Sequence, residues 1–118
     1  SYGGVSLHEQ SHGESFLSLV LHRFGGRGLY ILDEPEAALS VRGQLTLMRR
    51  MHELVATGSQ FVVSTHSPIL LGYPGAQIYA LSESGIEPCA YEETEQYDLT
   101  RSFLADRARF LHYLFADD

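Results

Sequence analysis

At 118 residues the chain is one domain at most, long enough for a real core. Fifteen acidic against eight basic residues give a net charge of −7, with nine acidic and three basic from Gln60 onward; such a surface repels a phosphate backbone and argues against nucleic-acid binding by this segment. All the basic residues are arginine, and the absence of lysine excludes a phosphate-cradling loop of the form G-x-x-x-x-G-K-S/T within these residues.

Ser1 to Gln10 reads as a short polar lead-in. Ser11 opens a helix, because Ser11-x-x-Glu14 matches a capping box in which each side chain satisfies a backbone N–H of the first turn. Phe16, Leu17, Leu19, Val20, Leu21 and Phe24 make that helix apolar almost all round, which predicts burial, and Gly25-Gly26 stops it. Leu29 to Leu32 is a strand of the buried type. It ends abruptly in Asp33, Glu34 and Pro35, two adjacent carboxylates and a turn former.

Ala37 to Ser40 is a short connection, and Ser40 is the expected N-cap of a helix over Val41 to Ala56. Val41, Leu45, Met48, Met51 and Val55 recur there at helical spacing, with Arg42, Arg49, Arg50 and Glu53 largely opposite. Gly58 ends it. Gln60 to Ser64 is a second buried strand, and Thr65-His66-Ser67-Pro68 leads into a short helix over Ile69 to Gly72, with Ser67 as N-cap and Pro68 at the first helical position.

Ala76 to Leu81 and Ile86 to Tyr91 read as a hairpin around Ser82 to Gly85. Cys89 is the single cysteine, which excludes an internal disulfide and fits a reducing compartment. Glu92 to Asp98 is an acidic connector. A last helix spans Leu99 to Phe115, with Leu99, Phe103, Leu104, Leu111, Leu114 and Phe115 as its apolar stripe. No apolar run reaches membrane-spanning length and no signal peptide is visible, so the cytoplasm is the expected location. The order of elements predicts an α/β layer with parallel central strands flanked by helices.

Three short segments carry chemistry, in this order: Ser11-His12-Gly13-Glu14, Tyr30 to Pro35, and Val63 to Ser67. In this arrangement the chain resembles the C-terminal half of an ABC-type ATPase head, closest to soluble, non-transporter members related to the chromosome-maintenance and recombination groups. The resemblance runs from about Gln10 to Tyr91. It implies a partial P-loop NTPase domain over residues 1–118, with Ser11 to Glu14 in the place of the signature motif and Leu29 to Glu34 as the Walker B strand. Glu36 to Ser40, including Ala37 and Ser40, takes the place of the D-loop, and Thr65-His66 that of the H-loop.

The roles that follow are ATP and Mg²⁺ chemistry. Asp33, a hard oxygen donor at a strand's carboxyl end, is expected to bind Mg²⁺ through a water. Glu34 is expected to orient or deprotonate the attacking water, and His66 to hydrogen-bond the γ-phosphate. Ser11, Gly13 and Glu14 stand at a helix N-terminus that favours an anion; the resemblance implies that they meet the γ-phosphate of ATP bound by the opposite subunit of a homodimer. Two positions depart from the pattern: His12 stands where glycine is usual, and Ser40 where the D-loop usually has aspartate.

A phosphate-binding loop is then expected outside this chain, and the 118 residues alone are expected to bind ATP weakly or not at all and to be inactive. The resemblance points to a DNA-maintenance or defence-type system, with DNA or a nuclease as partner through other regions and no membrane partner. Two rival readings compete with this one. One is a non-catalytic, ABC-like module for dimerisation or partner docking. The other is a zinc metallopeptidase, since His8-Glu9-Gln10-Ser11-His12 is formally H-E-x-x-H and Glu34 or Glu36 could serve as third ligand. The helix start at Ser11, inside that motif, opposes the continuous helix that zinc ligation needs.

Overall fold

The computed structural model describes residues 27–117. The described residues divide into two compact units, parting between Tyr73 and Pro74. The predicted signature helix and the H-E-x-x-H segment lie outside the described residues.

In the first unit, strand β1 (Leu29–Asp33) pairs in parallel with strand β2 (Gln60–Ser64), and helix α1 (Val41–Ala56) connects them as a βαβ crossover. The register runs from Leu29 opposite Gln60 to Asp33 opposite Ser64. Side chains alternate across a strand, so Tyr30 and Leu32 share one face with Phe61 and Val63. On that face the Tyr30 and Phe61 rings lie 5.1 Å apart. The core consists of Leu32, Leu47, Met51 and Leu70, with Leu39, Met48, Phe61, Val63 and Tyr73 packed against it. Leu29, Ile31 and Val62 point to the other face and are exposed, Ile31 to 72%. Among the described residues the strands are therefore covered on one face, where an apolar run had suggested burial on both.

Helix α1 has the predicted limits and cap: the Ser40 hydroxyl accepts from the Gly43 backbone N–H at 3.0 Å. Its buried face differs from expectation. Gly43, Gln44, Leu47, Met51 and Leu54 face inward, while Val41, Leu45 and Val55 are exposed and Met48 is only partly packed. Apolar residues surround this helix, so periodicity alone admits two stripes. Gly43 contributes to the choice, since a Cβ there would stand 3.3 Å from the Leu39 side chain. Gln44 contributes too, because its buried amide has a partner in Ser67. Arg49 and Arg50 pair with Glu53 on the outer face. Gly58 closes the helix at φ 103°, a left-handed conformation that favours glycine.

Two short 3₁₀ turns complete this unit. Pro35–Ala38 follows β1, where an irregular connection was expected, and Leu70–Gly72 replaces the short helix predicted from Ile69. The N-cap of the latter is Ile69, not the predicted Ser67, although the Ser67 hydroxyl accepts from the N–H groups of Ile69 and Leu70 at 3.0 and 3.1 Å and so caps the turn leading into it.

The second unit holds the hairpin of β3 (Ile78–Ser82) and β4 (Gly85–Cys89), antiparallel, with Ser82 opposite Gly85. The strands begin and end within two residues of the predicted limits. The predicted single C-terminal helix is two: α2 (Glu95–Ala105) and α3 (Arg107–Leu114). Asp106 divides them. Its backbone is extended and its carboxylate accepts from the Arg109 N–H at 3.1 Å, so it caps α3 instead of continuing α2. Thr94 caps α2 in the same way, and helix α2 therefore begins within the segment read as an acidic connector. The predicted apolar stripe is not buried: Leu99, Leu104, Leu114 and Phe115 are exposed, and Phe103 meets Phe110 edge-on at 5.5 Å.

Candidate functional site

The parallel register brings the carboxyl ends of β1 and β2 side by side, the edge where open α/β sheets place their ligands. Asp33 and Ser64 are the last residues of the two strands, and the Ser64 hydroxyl donates to the Asp33 carboxylate at 2.6 Å. Both lie on the face opposite α1, which leaves the Asp33 carboxylate exposed.

Glu34 follows with φ 51° and ψ 53°, the only non-glycine residue of positive φ among the described residues. A left-handed backbone costs a side-chain-bearing residue about 1–3 kcal/mol, and a following proline normally restricts it to extended conformations. Three contacts hold Glu34 there. Its N–H donates to the Ser64 carbonyl at 2.7 Å, extending the strand pairing by one residue. Its own carbonyl accepts from Ala37 at 3.0 Å and closes the 3₁₀ turn. Its carboxylate meets His66 Nδ1 at 2.9 Å.

That last contact joins two residues 32 positions apart that the sequence places at separate strand ends. Because a carboxylate only accepts, Nδ1 must carry the proton, and Nε2 is left for another partner. The pair is well exposed on both sides, so its value is in orientation more than in stability.

Glu36 adds the second link between the strand ends. One of its carboxylate oxygens accepts from the Thr65 hydroxyl at 2.5 Å and the other from the His66 backbone N–H at 2.8 Å. Burial alone pushes its carboxyl upward, but the hydrogen bonds from Thr65 and His66 outweigh this and hold it below the ordinary value of 4.5. The Thr65 oxygen in turn accepts from Ser67 N–H at 3.0 Å, and the Ser67 hydroxyl donates to the buried Gln44 amide oxygen on α1. The loop carrying His66 is thus tied to the turn after β1 on one side and to α1 on the other.

Of the residues singled out from the sequence, the structure brings Glu34 and His66 into contact and sets Asp33 beside them, bonded to Ser64. Ala37 lies within the 3₁₀ turn and Ser40 uses its hydroxyl to cap α1. Ser11, Gly13 and Glu14 fall outside the described residues. From the sequence Glu36 stood only at the start of the D-loop and, with Glu34, as an alternative third ligand in the zinc reading; its bonds to Thr65 and His66 were not foreseen. Glu34, Glu36 and His66 each offer a ligating atom, all within 4.8 Å of one another, so they are the group among the described residues that could hold a metal ion. Asp33, the residue expected to bind Mg²⁺, stands outside that group.

Comparison with known proteins decides the family. Residues 1–72 match the family described as "AAA domain, putative AbiEii toxin, Type IV TA system". The chain belongs to this family. This AAA-type, ABC-like ATPase chain also resembles the cytochrome c biogenesis ATP-binding export protein CcmA from two strains of Rhodopseudomonas palustris. Identity is 46% for strain HaA2 and 44% for strain BisB5, each over 43 residues. The match covers 36% of this chain and 22% of either relative, so the chain spans about a fifth of those proteins. No solved structure matches it. The α/β unit with its parallel strands, the hairpin and the helices are compatible with a partial P-loop NTPase domain. No helix among the described residues is long and apolar enough to cross a membrane.

Proposed function

We propose that these residues carry the carboxylate-bearing half of an ATP-hydrolysing domain that closes as a homodimer around nucleotide. The observation that supports this most strongly is the Glu34–His66 contact at the paired strand ends, in a chain of an ATPase family. Glu34 acts as the base that orients and deprotonates the attacking water. His66 is held through Nδ1, and in its doubly protonated form its Nε2–H donates to the γ-phosphate, stabilising charge as it develops. Strain concentrated at Glu34 is consistent with a side chain held in place for chemistry.

Asp33 and Ser64 together offer hard oxygen donors, which suit Mg²⁺. When bound, that ion supplies charge neutralisation across the nucleotide phosphates. Ser11, Gly13 and Glu14 contact the γ-phosphate held by the opposite subunit, and Ala37 and Ser40 belong to the loop that faces it. The phosphate-binding lysine that this chemistry requires is not among these 118 residues, so the active unit includes a further segment that supplies it. The matched family's description, with its "putative AbiEii toxin, Type IV TA system", supports a defence-type setting; a cytoplasmic location, and DNA or a nuclease engaged through other regions, belong to the same proposal.

The test is Glu34→Gln in the complete protein, followed by ATP binding and steady-state phosphate release. Nucleotide binding should persist while turnover falls by about 10²–10⁴, the usual weight of a general base. Unchanged turnover would remove Glu34 from the base role.

A further inference from the structure

We infer that Glu36 is the positioning residue of the site: it sets the backbone after β2 so that the His66 imidazole meets Glu34. The inference rests on the hydrolytic reading for its consequence in turnover, but its geometry stands independently.

The two carboxylate oxygens of Glu36 accept from donors on consecutive residues, the Thr65 hydroxyl and the His66 N–H. Two bonds to adjacent residues fix both the distance and the rotation of that peptide, which a single bond would not. The His66 side chain departs from that peptide, so its ring is aimed by Glu36 at one end and received by Glu34 at the other. Glu34 and Glu36 stand two residues apart, and the 3₁₀ turn Pro35–Ala38 carries Glu36 itself. The 3₁₀ turn therefore presents both carboxylates to one residue of the neighbouring loop.

Charge matters to this arrangement as well as shape. A carboxylate can accept at both oxygens, whereas the isosteric amide has a single acceptor oxygen and an NH₂ group. In Glu36→Gln the oxygen can serve His66 N–H while the NH₂ turns to Thr65, whose hydroxyl oxygen has a second lone pair beside the one Ser67 uses. The Thr65 O–H then loses its acceptor, and the bond to His66 N–H persists in neutral, weaker form. In Glu36→Ala both are lost.

The experiment compares the native chain with Glu36→Gln and Glu36→Ala by amide hydrogen exchange, read by NMR without nucleotide, and by ATP turnover in the complete protein. The His66 amide should exchange about tenfold or more faster in Glu36→Ala and by a smaller factor in Glu36→Gln, with the Val62 and Leu47 amides unchanged. Turnover should fall in the same order through kcat, with KM for ATP held within about twofold. Unchanged His66 exchange in Glu36→Ala overturns the inference. So does loss of protection at Val62 and Leu47 together with His66 in both variants, which would make Glu36 a general stabiliser. If the native protein hydrolyses no ATP, the hydrolytic reading fails, and the exchange series still decides the positioning role.

Discussion

Ser67→Ala is the most informative perturbation of the scaffold beneath the site. Ser67 is 5% exposed, and its one hydroxyl donates to the buried Gln44 amide while accepting from the Ile69 and Leu70 N–H groups. Removing it takes away a cap, for which about 0.5–2 kcal/mol is typical. It also leaves the Gln44 oxygen without its donor at 9% exposure, for about 1–3 kcal/mol more. The sum is a destabilisation of about 1.5–5 kcal/mol, read as a lowered urea midpoint at constant slope. Replacing Gln44 by leucine in the same chain removes the stranded oxygen, so the double variant should recover part of the loss. What remains should be about the cap alone. Additive losses in the two single variants and the double variant would refute the coupling. A loss under about 0.5 kcal/mol for Ser67→Ala would refute the burial argument itself.

Two further predictions follow from geometry already described. The folded Glu36 carboxyl lies below its ordinary value of 4.5, so its contribution to stability is complete above that pH and is lost as pH falls through 4.5 and then through the folded value. A urea titration series should show this acid-side loss in the native chain and a shallower one in Glu36→Gln; equal slopes would contradict it. Gly58→Ala places a Cβ at φ 103° and should lower stability by about 1 kcal/mol or more, measured by thermal unfolding, whereas an unchanged midpoint would show that the helix end relaxes freely.

Much of the first unit was legible because local signals and the tertiary structure agree. Ser40 followed by sixteen residues without proline gave the helix both its start and its cap, and the apolar runs before Asp33 and Ser64 gave the parallel pair. The face of α1 was not legible, since Leu45, Leu47, Met48 and Leu54 allow more than one stripe and the choice depends on what Gly43 and Gln44 meet. The break at Asp106 depends on a side chain competing for a backbone N–H, which apolar spacing does not register. At the site, residue types and order pointed to Asp33, Glu34 and His66. The part played by Glu36 arises from a register pairing across 30 residues, and no local pattern encodes that.

The parallel register between β1 and β2 has a consequence for how the site comes into being. Tyr30 meets Phe61 on one face of the ladder, while Asp33 meets Ser64 on the other at its far end. A slip of one residue would turn every β2 side chain over, separating the two rings and parting Asp33 from Ser64 in the same movement. Formation of the core and assembly of the carboxylate cluster are thus a single event along the folding coordinate. A spectroscopic signal from Tyr30 would report on both.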